Sequence, residues 1–254
     1  MIAAATPDAN IAPGSIHHLS HSQIQSFTMC PRKWYYEKVE RAPKERVGSA
    51  LVFGIAVHDT LAKVNEAAMA DETIDVQAAF TATWKSTIAE AGAPVHYGKD
   101  CADDLFAKGR ALVAAYVPPS GIIGVEQPFS LKLDSDLPPI EGRIDLIRRD
   151  DDGNLVLADL KTSGTKVLTD THAVEAQLGL YDLAFPAVRW EAIVLGKLKT
   201  PTITIQPITA WKPAAVFQHY SEIFHAMRSG VRYAVRGWQC EGCSFATRCS
   251  REAA

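Results

Sequence analysis

Apolar and polar residues alternate in some stretches of this chain and recur with a helical period in others. Alternation bounded by turn residues predicts strands at about residues 124–133, 140–149, 155–161, 192–198 and 202–208. Recurrence every three to four residues predicts helices at about 49–70, 75–91, 99–116, 174–185 and 213–228. A further helix, capped by Ser20 or Ser22, is expected to reach residue 38. This succession of helices and strands predicts an α/β protein.

Two of the predicted strands form a hairpin that carries three charged side chains. The turn between them is Asp150-Asp151-Asp152-Gly153-Asn154, in which Gly and Asn tolerate positive φ. If the turn is centred near Asp152, Asp145 lies opposite Asp159, and facing Cβ atoms are about 4.5 to 5.5 Å apart. Lys161 shares a face with Asp159 because side chains alternate along a strand. The hairpin therefore predicts two carboxylates that can bind one ion, with an ammonium beside them.

This arrangement suits hydrolysis of a phosphodiester. Hard ions such as Mg²⁺ bind carboxylate oxygens and keep several waters, so two acidic ligands leave room for a phosphate oxygen and an attacking water. Lys161 would orient that water or stabilise charge on the phosphate. The alternative is an ordinary surface hairpin with solvated charges, which an isolated D-x-K tripeptide favours.

Two predicted helices carry further candidates. Gly54 and His58 lie one turn apart on the helix at 49–70, and Gln177 and Tyr181 have the same spacing on the helix at 174–185. The predicted apolar stripe beside His58 is Leu51, Ile55 and Leu61. A lone histidine there is ordinarily a core or interface residue, and Tyr181 would ordinarily pack against the sheet. Beside a carboxylate pair, however, a neutral imidazole is a plausible third metal ligand.

Four motifs together carry a resemblance to a known family. In the order Gly54-x-x-x-His58, Gly142-Arg-Ile-Asp145, Asp159-Leu-Lys161 and Gln177-x-x-x-Tyr181, they resemble those of RecB-like nucleases in the PD-(D/E)xK superfamily. The resemblance covers nearly the whole chain. It implies a restriction-endonuclease-like core, in which a mixed central sheet is flanked by helices, with a helical N-terminal part and a C-terminal cysteine segment.

The resemblance also implies roles for individual residues. The expected metal ligands are His58, Asp145, Asp159 and the backbone carbonyl of Leu160. Lys161 is expected to assist the attacking water and so to complete the catalytic set. Gln177 and Tyr181 are expected along the nucleic-acid path, and Glu126, on the strand before the hairpin, is expected to support the metal site.

The cysteines form a second group of candidate ligands. Of the five, three are clustered as Cys240-x₂-Cys243-x₅-Cys249, and Cys30 precedes a proline near the start of the chain. Such clustering in a cytosolic protein favours metal binding over disulfides. Four thiolates suit either a structural Zn²⁺ or a [4Fe-4S] cluster, and four unligated thiols are the other alternative. Cys101 fits no part of this pattern and is expected to be an ordinary, partly buried thiol.

The position of Cys30 strengthens the cluster interpretation. An early Cys-Pro after a Leu-Ser-x-Ser helix start, combined with the distant cysteine triplet, resembles the iron-sulfur staple of AddB-type and CRISPR-adaptation nucleases. The resemblance implies a structural [4Fe-4S] cluster held by Cys30, Cys240, Cys243 and Cys249. Closing a loop of about two hundred residues removes entropy from the unfolded chain, so loss of the cluster is expected to destabilise the protein.

Composition limits how the chain can bind nucleic acid. With 26 Lys and Arg against 29 Asp and Glu, its net charge is −3, so DNA binding requires local basic patches and metal ions. Two basic groups are candidates for one shared face, with solvated helix faces as the alternative: Arg32, Lys33, Lys38, Arg41, Lys44 and Arg46 near the N-terminus, and Arg228, Arg232, Arg236, Arg248 and Arg251 near the C-terminus.

The expected organisation is one nuclease domain at 19–254 after a flexible leader at 1–18. Residues 71–118 are interpreted as a helical insertion, and residues 238–251 as a cluster-binding segment completed by Cys30. No stretch is typical of a signal peptide or membrane span, which favours a cytoplasmic protein.

The function expected from the resemblance is a Mg²⁺- or Mn²⁺-dependent DNA nuclease. An exonuclease acting on single strands or free ends in recombination, repair or phage DNA processing is favoured. One alternative is a subunit of a recombination or CRISPR-adaptation complex that cuts only with its partners. The other is an inactive, cluster-bearing DNA-binding module. The sequence lacks the G-x-x-x-x-G-K-[ST] phosphate loop of a helicase.

Overall fold

The central feature of the fold is a five-stranded mixed sheet. A computed structural model of the protein describes residues 16–252. The strands follow the order β3-β4-β5-β6-β7, in which the β5–β6 pair is parallel and the other pairs are antiparallel. They are β3 (Ile122–Leu131), β4 (Ile140–Arg149), β5 (Leu155–Ser163), β6 (Arg189–Gly196) and β7 (Thr202–Ile208), with a separate two-stranded pair of β1 (Val47–Gly48) and β2 (Val95–His96).

Helices cover both faces of this sheet, which confirms the predicted fold class. They are α1 (His21–Met29), α2 (Pro31–Trp34), α3 (Ser49–Met69), α4 (Val76–Ala89), α5 (Ala102–Ala115), α6 (His172–Ala184), α7 (Pro213–Arg228) and α8 (Ala246–Arg251). Among the described residues, no helix is long and apolar enough to cross a bilayer. Most of the predicted leader lies outside residues 16–252.

Strand alternation determines which helices pack on which face. On β5 and β6, Ala158, Leu160, Ile193 and Leu195 pack in one core with α3, α4 and α5. The helices α4 and α5 lie within the predicted helical insertion, and α3 precedes it. The intervening side chains, among them Leu157, pack against α6. A third core joins α1 to α7. That α4 and α5 form an insertion into the nuclease core stays a prediction.

The N-terminal helix is shorter than predicted. It begins after Ser20, whose side chain accepts a hydrogen bond from the N–H of Gln23, but it ends at Met29 instead of reaching residue 38. Cys30 adopts an extended conformation because the residue before a proline disfavours helical angles, and Pro31 opens a new short helix. A π-helical turn at Tyr35–Val39 follows.

The predicted apolar stripe of α3 is wrong at two of its three positions. Leu61 is fully buried, but Leu51 and Ile55 are exposed. The residues that α3 buries against the sheet and its helical neighbours include Val52, Phe53, Ala56, Val57 and Val64. A helix of this length with apolar residues on more than one face can be oriented in several ways, and only packing selects among them.

Candidate active site

The pairing of β4 with β5 ends just before the two acidic residues, Asp145 and Asp159. The ladder runs from Arg149 opposite Leu155 to Leu146 opposite Ala158, and one step further Asp145 faces Asp159. There the Asp145 carboxylate replaces a backbone acceptor, because its Oδ2 accepts a hydrogen bond of 2.8 Å from the N–H of Leu160. Continuation of the hairpin register thus brings the two acidic residues next to each other on neighbouring strands.

Glu126 lies on the other side of Asp145. The neighbouring pairs Val125–Leu146 and Gln127–Ile144 place Glu126 opposite Asp145 across the β3–β4 ladder. Its φ is 47°, a left-handed conformation that is rare for a residue with a side chain and that often occurs at functional sites. Glu126, Asp145 and Asp159 therefore form an acidic row across three adjacent strands.

His58 completes a group that can hold a metal ion. Its Nδ1 lies 3.7 Å from Oδ2 of Asp145, and ligand atoms of His58, Glu126 and Asp145 all lie within 4.8 Å of one another. Burial raises the pKa of Glu126, and the negative charge of Asp145 raises it further. A cation between these side chains would relieve that repulsion. Glu126 is thus a stronger candidate ligand than its sequence position alone indicated.

Asp159 is a buried carboxylate with one charged neighbour. Lys161 Nζ lies 2.7 Å from its Oδ2 and forms an ion pair with it, whereas Oδ1 has no hydrogen-bond partner within residues 16–252. Burial raises the pKa of Asp159 to about 6; Asp145 adds to this effect and Lys161 opposes it. Burial lowers the pKa of Lys161, but the two carboxylates outweigh that effect and raise it overall. A carboxylate oxygen without a partner, such as Oδ1, suits a hard divalent cation.

A chain of hydrogen bonds connects Lys161 to α6. Lys161 Nζ donates to Oε1 of Gln177 at 2.9 Å, and Nε2 of Gln177 donates to the Tyr181 hydroxyl at 2.6 Å. Burial raises the pKa of Tyr181, as do the charges of Asp145 and Asp159, so its hydroxyl stays protonated. Gln177 and Tyr181 therefore hold the Lys161 side chain in place from α6, which packs on the face of the sheet opposite to α3.

Sequence reasoning missed one residue of this site, His21. It lines the same cleft, and its Nδ1 lies 2.8 Å from the hydroxyl of Tyr220. Burial lowers the pKa of His21 to about 3, with a smaller contribution from Lys161, so the imidazole is neutral at pH 7. Its position just after the Ser20 cap, within Leu-Ser-x-Ser, was the only available signal.

Apart from the fully buried Asp159, these side chains line one cleft of about 760 Å³. It is bounded by α1, α3, α6 and the strands that carry the acidic row. Among the residues that line it are His58, Glu126, Asp145, Lys161, Gln177 and Tyr181. The backbone carbonyl of Leu160 stays a predicted ligand.

Comparison with known proteins identifies the chain's family. The sequence profile of the PD-(D/E)XK nuclease superfamily matches residues 18–250. The chain belongs to this superfamily. PD-(D/E)XK nucleases hydrolyse phosphodiesters and use divalent metals, which agrees with the His58, Glu126 and Asp145 group.

A solved structure shares the fold of this chain at low sequence identity. A Eubacterium rectale protein named "putative exonuclease" is 12% identical, with a TM-score of 0.55, over 91% of this chain and 88% of that one. A second structure, that of SSO0001, is 14% identical with a TM-score of 0.40, over 82% of this chain and 86% of that one. No curated protein is significantly similar in sequence to this chain.

Four of the five cysteines line one cavity, which is distinct from the acidic cleft but shares Lys33 with it. Cys30, Cys240, Cys243 and Cys249 surround a space of about 260 Å³, and none forms a disulfide. Burial raises the pKa of the Cys243 thiol. Among residues 16–252, no three cysteine sulfurs lie within 4.8 Å of one another. Cys101 is exposed, contrary to the prediction, because it precedes α5 and its sulfur accepts a hydrogen bond from the N–H of Asp104.

Hydrogen bonds join the two sequence segments around the cysteine cavity. Arg32 Nε donates to the carbonyl of Arg232, and Arg46 Nε donates to the carbonyl of Cys243. The Glu45 carboxylate accepts from the N–H groups of Thr247 and Arg248. The two predicted basic groups thus meet, but acidic neighbours offset part of their charge, as in the pairs of Lys44 with Glu37 and of Arg248 with Glu40.

Proposed function

We propose that this protein is a Mg²⁺- or Mn²⁺-dependent DNA nuclease of the RecB-like branch, and that it acts as an exonuclease on single strands or free ends. The observation that carries the proposal is the group of His58, Glu126 and Asp145, which can hold a metal ion in the same cleft as Lys161. The buried Asp159 pairs with that lysine. Superfamily membership supports phosphodiester hydrolysis. The preference for DNA ends comes from the RecB-like motifs.

In the proposed mechanism, His58, Asp145, Asp159 and the Leu160 carbonyl would hold the cation, and Glu126 would serve as a further ligand or support them. The cation would supply positive charge to the phosphate and activate water for attack. Lys161 donates a hydrogen bond to the attacking water or to the phosphate. Gln177 holds the ammonium of Lys161 in position. This contact reduces the conformational entropy that the lysine side chain loses on reaching the transition state.

We further propose that the four cysteines bind a structural [4Fe-4S] cluster. In a tetrahedral zinc site with Zn–S bonds of about 2.3 Å, the sulfurs would lie roughly 3.8 Å apart. No three sulfurs of this site lie within 4.8 Å of one another, and the cavity that the cysteines line, about 260 Å³, is much larger than a single ion. A cube of iron and sulfide fits such spacing better. Structural zinc is the alternative.

The metal content of the purified protein tests the cluster. Protein isolated under anaerobic conditions is expected to be brown, with a broad visible absorbance band and about four irons per chain. The band should bleach on reduction or oxidation. A colourless protein with one zinc per chain would refute the iron-sulfur cluster and support a structural zinc site.

Digestion of labelled DNA tests the nuclease activity. End-labelled linear single strands should be degraded in Mg²⁺ or Mn²⁺, closed single-stranded circles should persist, and EDTA should stop the reaction. The Asp159→Asn variant, purified in parallel, controls for contaminating nucleases. Cutting of circles would exclude a strict exonuclease. DNA binding without cleavage under all these conditions would instead favour a subunit that needs a partner or an inactive binding module.

We also propose that residues 19–254 form one nuclease domain. Its parts would be the helical insertion at 71–118 and the cluster-binding segment at 238–251. The hydrogen bonds between the Glu45 region and α8 support this interpretation, because they join the cluster-binding segment to the N-terminal part.

A further inference from the structure

Two large aliphatic side chains are exposed on the wall of the acidic cleft. Leu51 is 57% exposed and Ile55 is 41% exposed, and both line the cleft that contains His58. The three residues are spaced i, i+4 and i+7, so they share one face of α3, with Leu51 about 10 Å from His58 along the axis. An aliphatic ridge therefore leads along the helix to the metal-binding group.

The surroundings of the ridge are unusual for exposed apolar residues. Single exposed leucines are common on protein surfaces, but these two are adjacent, and Met29 of α1, 39% exposed, lines the same cleft. Gly54 lies between them on α3, and only the Thr162 hydroxyl oxygen lies within 4 Å of the position of its absent Cβ. The helix thus leaves open space beside the ridge.

Charge in the cleft indicates what lies against the ridge. Lys33, Arg143 and Lys161 also line it, together with the carboxylates of Asp59, Glu126, Glu141 and Asp145. A metal ion bound there would offset part of the negative charge, so cations that suit phosphates and apolar side chains that suit bases are both available in the cleft. A single strand presents both groups, whereas a duplex stacks its bases inside and turns its phosphates outward. The cleft volume of about 760 Å³ is that of a small-ligand pocket, which admits a short length of one strand.

We propose that Leu51 and Ile55 contact the bases of an unpaired DNA strand and so select single-stranded over duplex substrate. This inference rests on the proposed nuclease function and adds the residues that determine its strand specificity. Base–side-chain contact of this kind tolerates any sequence, since every base has an apolar face. The ridge would hold the nucleotides next to the scissile phosphate.

The test compares three substrates of equal length: a labelled single strand, the same strand with abasic sites in place of its bases, and a blunt duplex. Wild-type protein should have a KM for the abasic strand about 10-fold or more above that for the normal strand. In the Leu51→Ala/Ile55→Ala variant, the KM for the normal strand should rise roughly 10-fold, so that the preference for bases largely disappears. Alanine is a good helix former, so α3 is expected to remain folded.

A matched control uses an exposed isoleucine outside the cleft. Ile205 of β7 is 52% exposed, and Ile205→Ala should leave every KM and the preference for the normal strand unchanged. Equal KM values for normal and abasic strands in the wild type would overturn the proposal. So would a double variant that keeps the wild-type preference.

Binding measurements separate failure of this proposal from failure of the nuclease assignment. Fluorescence anisotropy of the same strands with the Asp159→Asn protein reports base preference without cleavage. Base-dependent binding by a wild-type protein that cuts nothing would refute the nuclease function and support the ridge. Efficient cleavage with no base preference in either assay would support the nuclease function and refute base contact by Leu51 and Ile55.

Discussion

The acidic cleft and the cysteine cavity both bring polar groups together from distant parts of the sequence, but they are built differently. The cleft residues lie on adjacent strands and two long helices, and hydrogen bonds orient Asp145, Lys161 and Gln177. The cysteines lie at helix ends and in short turns, and three of them are partly exposed. The sheet therefore preorganises the cleft, whereas the cysteine region depends more on what it binds.

The largest expected effect is loss of cleavage when either member of the ion pair between Asp159 and Lys161 is substituted. Both Asp159→Asn and Lys161→Ala should reduce the cleavage rate by about 10³-fold, since metal-based charge stabilisation contributes several kcal/mol and each 1.36 kcal/mol is tenfold. Their stabilities should differ. Lys161→Ala leaves the buried Asp159 without its ion pair and should lower the Tm, whereas Asp159→Asn should not.

Initial rates on labelled single strands and thermal melting in EDTA check both expectations. A Lys161→Ala protein that cuts at the wild-type rate would contradict the assigned mechanism.

The next largest effect concerns the cysteine cavity and should fall on stability. Cys243→Ser removes one proposed cluster ligand and should cost about 3 kcal/mol, by analogy with other crosslinks that close long loops. For a protein of this size the Tm should fall by about 6 to 12 °C. The cleavage rate per folded molecule should change little, because none of the four cysteines lines the cleft. Melting curves and active-site titration measure the two quantities.

Cys101→Ser is the matched control, since Cys101 is exposed and lies outside the cavity. It should leave the visible spectrum and the Tm close to those of the wild type. A Cys243→Ser protein with unchanged Tm and spectrum would show that the four thiols are unligated.

A smaller effect tests whether Glu126 belongs to the metal group. Glu126→Gln keeps the size of the side chain but removes its charge, and it should raise the Mn²⁺ concentration for half-maximal cleavage about 10-fold, the lower range for residues that support a metal site. Metal titrations of the rate provide the measurement. An unchanged requirement for metal would leave Glu126 outside the site.

The smallest expected effect compares two helical glycines. At Gly54 a Cβ would meet only the Thr162 hydroxyl oxygen, at 3.7 Å, so Gly54→Ala should stabilise the protein by about 0.5 to 1 kcal/mol. At Gly179 of α6 a Cβ would lie 2.7 Å from the carbonyl oxygen of Trp211, so Gly179→Ala should destabilise it. Thermal melting of both variants measures the difference. Stabilisation by both substitutions would contradict the packing described around α6.

The sequence predicted most reliably what depends on local chemistry. The hairpin register follows from the turn at Gly153, whose φ of 81° requires a residue that tolerates positive values, and from alternation on both strands. The helix that begins at Pro213 was also predicted with its observed bounds. Turn type and side-chain period act over a few residues, so they can be found without knowledge of the rest of the fold.

What the sequence by itself determined is therefore the order of the elements, the pairing of Asp145 with Asp159 and the candidate residues of both sites. The tertiary structure alone decided that Glu126 lies beside both His58 and Asp145, that His21 enters the cleft and that Leu51 and Ile55 line the cleft instead of the core. Each of these depends on how one element packs against another distant in sequence. An apolar pattern predicts that a helix has apolar faces, but packing against the rest of the protein determines which of them is buried.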